Sequence, residues 1–115
     1  MKFVLALAFW AADPVLFFDK HVAPIFARRC MPCHNQQLKN GGIAFDDSNS
    51  LLKSGSHGPI LVAGKPQESY LLQTLQHTGD IQMPPGRKLP PKEIKILTEW
   101  IQRGAIWGSP LKPNQ

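Results

Sequence analysis

Cys30, Cys33 and His34 are the residues of this 115-residue chain whose types and spacing point most directly to chemistry. They stand in Cys30-Met31-Pro32-Cys33-His34, the pattern C-x-x-C-H, which reads as an attachment site for a c-type haem. Two thiols at this spacing can both reach the vinyl groups on one edge of a porphyrin and form thioethers. The adjacent imidazole is then held beneath the ring, where a nitrogen can ligate the iron. Two competing readings are weaker. A bare C-x-x-C is half of a zinc site, but a closed zinc site takes four ligands, and these are the chain's only two cysteines. A thioredoxin-like redox motif would sit near a βαβ pattern, and the sequence shows none.

With His34 in one axial position, the second ligand separates electron transfer from gas binding or catalysis. The candidates are Met83, His21, His57 and His77. Met31 is excluded because it lies inside the attachment segment. Met83 is followed by Pro84 and Pro85, which would present its thioether with little conformational freedom. A thioether suits haem iron, and Met/His ligation raises the reduction potential. The alternative for Met83 is a gap-filling core residue. His77 is the second choice as ligand, and otherwise reads as a helix C-terminal histidine facing the dipole. His21 and His57 read as surface or loop residues.

Helices must position these groups. Asp13-Pro14 is a helix start, with Asp as N-cap and Pro at the first helical position. Val15, Phe18, Val22, Ile25 and Phe26 recur at helical spacing and lead into Cys30, with Phe26 one turn before it on the same face. Pro24 interrupts that pattern and predicts a kink or a fresh start. After a polar loop, Asp46, Asp47 or Ser48 caps a short helix through Leu51-Leu52, and Pro59 to Val62 is extended. A further helix opens at Pro66, buries Tyr70, Leu71, Leu72 and Leu75, and ends near His77. Pro90-Pro91 starts the last helix, whose apolar stripe is Ile94, Leu97, Trp100 and Ile101, and Gly104 stops it.

Residues 1–12 combine Lys2 with an unbroken apolar run ending in Ala11-Ala12, the layout of a secretory leader. The run is too short to span a bilayer, so no transmembrane span is expected once the leader is removed, and a retained leader would serve only as a membrane tether. Residues 13–109 then form one small domain, and 110–115 a disordered tail. The formal charge of +5 is interspersed, unlike the clustered cations of a nucleic-acid binder. It suits encounter with an acidic protein.

The chain resembles the class I c-type cytochromes, and most closely the planctomycete-type cytochrome c domains. The matching pieces are Pro24-Ile25-Phe26 leading into Cys30 to His34, Gly41-Gly42, and Ser56-His57-Gly58-Pro59. They continue with Gly64 to Ser69, Met83-Pro84-Pro85 and Trp100 to Ala105, so that the resemblance spans about residues 18 to 107. It implies an all-α, loop-rich cytochrome c-like fold of about four short helices wrapped around one covalently attached haem c. It implies Met83 as the distal ligand and a Pro59 carbonyl facing the other ring nitrogen of His34. It also implies export to a bacterial periplasm, because haem attachment takes place outside the cytoplasm. Tyr70, Trp100 and Arg87 are candidates to hold the propionates, with core packing the competing role for the two aromatics. Arg87 and Lys88 beside Met83, with Arg28 and Arg29 beside Cys30, are candidates to place positive charge near an exposed haem edge.

The expected function is single-electron transfer by a monomeric monohaem carrier, not an enzyme, working with a redox protein partner or as a subunit of a larger oxidoreductase. The chain's shortness and the lack of a carboxylate pair or Ser/His/Asp set agree with that. The alternative is a peroxidase-like haem enzyme or a gas-binding sensor with an open distal position.

Overall fold

The computed structural model describes residues 13–34, 38, 45, 54–55 and 58–108. The stretches expected to form a leader, a tail and a short helix through Leu51-Leu52, and the residue His57, lie outside the described residues. Within them the chain is mainly helical, in agreement with an all-α fold, and three of the expected helical stretches are present. Among the described residues one minimal β ladder is present, in which β1 (Ser54–Gly55) pairs antiparallel with β2 (Gly58–Pro59).

The first stretch begins as expected. The Leu16 amide donates to the Asp13 carboxylate at 3.2 Å and Pro14 takes the first turn of α1 (Pro14–Phe17), so the cap uses one orphan N–H and the proline removes another. A π-helical turn follows at Phe18–Val22, then α2 (Ala23–Ile25), then a second π-helical turn at Phe26–Cys30. Pro24 therefore neither breaks nor restarts the helix. Its missing N–H and its ring would conflict with the carbonyl one α-turn back. The widened turn before it, in which the Ala23 amide reaches the Phe18 carbonyl, lets the backbone run through in right-handed conformation.

Phe18, Val22, Ile25 and Phe26 are buried, as the spacing predicted, and Cys30 extends that face. Val15 differs: it is 46% exposed. The backbone near Gly108 approaches the Val15 carbonyl and the Asp19 carboxylate so closely that a Cβ at Gly108 would collide with both. Here it is backbone, not an apolar side chain, that meets the first helical turn.

A 3-10 turn (Pro66–Glu68) precedes α3 (Tyr70–Gln76). The sequence suggested a single helix from Pro66, but Ser69 is extended and divides the two. Its fully buried hydroxyl accepts from the Val62 amide at 2.8 Å and faces the Lys65 carbonyl at 3.1 Å. The hydroxyl is thus used to fold the preceding loop onto α3.

The last helix, α4 (Pro91–Gln102), buries Leu97, Trp100 and Ile101. It ends in a Schellman motif: Gly104 (φ 112°) donates to Ile101, and Ala105 to Trp100. The residue 14–30 stretch and α4 meet through aromatic rings, with Trp100 edge-on to Phe26 at 5.5 Å and tilted against Phe18 at 5.8 Å. The Gly64 amide donates to the Ile101 carbonyl at 2.7 Å, which joins the loop before α3 to the same helix.

Candidate functional site

The second π-helical turn delivers Cys30 at its final position, and the next residues close a tight turn. The Cys33 and His34 amides donate to the Cys30 carbonyl at 3.2 and 2.9 Å, satisfying an acceptor that the helix end would otherwise leave open. Both cysteines are free thiols, Cys30 buried and Cys33 exposed. Burial, reinforced by the negative charge of Glu93 and opposed by Arg29, pushes the Cys30 thiol up to about 12. It is therefore a protonated thiol at neutral pH. Met31 points into the core at 1% exposure, in keeping with its exclusion as a ligand.

His34 is half-buried and its ring lies 5.7 Å from that of Phe45. The Phe45 amide donates to the His34 carbonyl at 2.7 Å, and the Phe45 ring packs edge-on against Phe26 at 4.9 Å. Phe45 thus joins the imidazole to the aromatic core. Nothing in the sequence pattern links Phe45 to His34, eleven positions earlier.

Met83 is half-buried in the loop that follows α3, and the Met83–Pro84 peptide is cis. Its amide donates to the Thr74 carbonyl at 2.9 Å, and its carbonyl lies 3.2 Å from Nε2 of His77. A carbonyl can only accept, so Nε2 of His77 carries the proton in this contact. That nitrogen is not a free lone pair for iron, and His77 addresses the Met83 loop instead of the helix carbonyls. His21 is exposed on the first helical stretch, 5.2 Å from the Phe17 ring.

The remaining expected residues differ in setting. Tyr70 is half-buried at the first position of α3, Pro59 is exposed at the end of β2, and Arg87 is exposed four residues past Met83. Trp100 is 1% exposed and its indole N–H donates to the Ile106 carbonyl at 2.9 Å. Arg28 and Arg29 are engaged by Glu93 of α4, Arg29 through two bonds of 3.1 and 3.3 Å and Arg28 through one of 3.4 Å. The single negative charge of Glu93 thus offsets one of the two positive charges beside Cys30. Glu93 is the residue that sequence reading missed here, since nothing local links it to residues 64 positions earlier.

The donor set fits a covalently held haem: two thiols outside any disulfide and an imidazole share one turn, and a thioether lies in a braced loop. Among the described residues no three His, Cys, Asp or Glu side chains converge as they would in a protein-only metal site. The family model for planctomycete cytochrome C matches residues 30–86, about half of the chain. The chain carries a planctomycete cytochrome C domain. The match includes Cys30, Cys33, His34, Pro59, Tyr70 and Met83, and it implies that the domain binds haem c. The helical stretch before Cys30, Arg87 and α4 fall outside it, although the aromatic packing joins both helices into the domain's core. No curated protein and no solved structure matches the chain.

Proposed function

We propose that this cytochrome c domain is a one-electron carrier, with a single haem c attached through Cys30 and Cys33 and with His34 and Met83 as the residues that would hold its iron. When bound, the haem would supply a one-electron ferric/ferrous couple. The observation that carries this reading is the turn at the helix end, where one carbonyl, that of Cys30, gathers the Cys33 and His34 amides. It presents two thiols and an imidazole from a single local segment.

The surrounding residues support it. Phe45 restricts the His34 ring, and Thr74 takes the Met83 amide, so both ligand-bearing segments are ordered by bonds within the protein. Little rearrangement is then needed when charge changes, which is what electron transfer requires. Pro59 remains our candidate to orient His34 through its carbonyl, and Tyr70 and Arg87 remain candidates for the propionates. Trp100 has given its N–H to Ile106, and we assign it to the core. Exposed Arg87, Lys88 and Lys92 follow Met83 in the chain and suit an acidic redox partner. Cytochrome c domains are typically exported, and we place this one in the periplasm of a bacterium. Among the described residues no helix is long and apolar enough to cross a membrane.

The deciding measurement is the optical spectrum of ferric protein made in a host with haem-attachment machinery. A weak far-red sulfur-to-iron band is expected, and Met83→Ala should abolish it, lower the reduction potential and admit carbon monoxide to the ferrous protein. A high-spin wild-type spectrum without that band would instead favour ligand binding or catalysis at an open position.

A further inference from the structure

His77 occupies a position that chemistry disfavours for it. It is the residue that ends α3, with φ 57° and ψ 37°, in the left-handed region. The two bonds around it, His77 N–H to the Thr74 carbonyl at 3.3 Å and Thr78 N–H to the Gln73 carbonyl at 3.4 Å, form a second Schellman motif. Glycine or asparagine is the usual residue at that point, because a Cβ there crowds the backbone. In α4 the corresponding place is taken by Gly104. At His77 the chain accepts the strain of a bulky side chain, and that side chain has a definite partner, the Met83 carbonyl at 3.2 Å.

The consequence lies in how Met83 is held. Both of its backbone polar groups are bound by the end of α3: the amide by Thr74 and the carbonyl by His77. The Thr74 bond goes to a main-chain carbonyl and survives most substitutions. The His77 bond is the one that depends on a side chain. The seven-residue segment from 77 to 83 is thereby closed on itself, with the Gln82 side-chain amide also reaching the His77 carbonyl at 3.5 Å.

We propose that His77 is a positioning residue: its Nε2–H donates to the Met83 carbonyl and clamps the methionine loop so that the thioether is retained against competing ligands. The inference rests on the reading of Met83 as an iron ligand. It concerns one hydrogen bond, from Nε2–H of the ring to the Met83 carbonyl.

The test compares holoprotein carrying His77→Gly, His77→Asn and His77→Gln with wild type. Glycine and asparagine suit the left-handed backbone, so H77G and H77N should unfold no more readily than wild type, yet neither can reach the Met83 carbonyl as the ring does. Glutamine places an amide N–H at nearly the distance of Nε2. Imidazole is titrated into each ferric protein while the far-red sulfur-to-iron band is followed. H77G and H77N are expected to lose the band at roughly tenfold lower imidazole concentration, the scale of one lost hydrogen bond, with H77Q close to wild type. Wild-type imidazole affinity in H77G and H77N, with the band present, would overturn the clamp while leaving Met83 as ligand. A wild-type protein without the band would remove Met83 as ligand, and the clamp with it.

Discussion

Cys30 and Cys33 are close in sequence and unlike in surroundings. Cys30 terminates a buried helical face and its thiol is held protonated by desolvation, whereas Cys33 is exposed on the following turn. Only a thiolate is a good nucleophile, and it must also be reached. In haem-free protein at pH 8, iodoacetamide should therefore modify Cys33 more than about tenfold faster than Cys30, as read by mass spectrometry of tryptic fragments. Equal rates would mean that the helix end does not persist without the haem. The C-x-x-C-H motif and the Met83-Pro84-Pro85 run were legible in sequence because each is a local pattern of types. The unequal burial of the two thiols was not, since it depends on which face of the helix meets α4.

At the scale of elements, Glu93 joins the residue 14–30 stretch to α4. It receives two bonds from Arg29 and one from Arg28, and its side chain is 15% exposed against 37% and 53% for the arginines. The bidentate geometry favours the pair, but solvent screens so exposed a cluster. Glu93→Gln should cost less than about 1 kcal/mol of stability at low salt, and the difference should shrink further in high salt. Urea unfolding of wild type and variant at two ionic strengths checks this. A loss that is large and independent of salt would show that packing, not charge, joins the two elements. Periodicity located both helices and their buried faces with little error. It could not show that Pro24 is carried by a π-helical turn, because the accommodation lies in the hydrogen bonds of the preceding turn. Nor could it show that Ser69 separates the 3-10 turn from α3, since the competing partner for its hydroxyl is the Val62 amide seven residues earlier.

For the molecule as a whole, the junction of the two long helical stretches is an aromatic cluster around Trp100. Its ring contacts Phe18, Phe26 and Trp107, and its N–H closes onto the Ile106 carbonyl. Trp100→Ala should lower unfolding stability by about 3–5 kcal/mol, the usual cost of removing a fully buried large aromatic. Trp100→Phe, which keeps a ring but leaves the Ile106 carbonyl unpaired, should cost less. Denaturant titration of the holoprotein distinguishes the two, and near-equal stability of Trp100→Ala and wild type would contradict the placement of this residue at the centre of the core. What sequence alone determined was set by local chemistry: the C-x-x-C-H motif, the helix boundaries at Pro14, Pro91 and Gly104, and the apolar stripes whose spacing follows helical geometry. What only the tertiary structure decided was which partners those residues meet. Trp100 turns to Ile106, Arg28 and Arg29 to Glu93, His34 to Phe45, and His77 to Met83. Each such pairing depends on the path of the intervening chain, and a residue's type constrains what it can bond without stating where its partner will arrive.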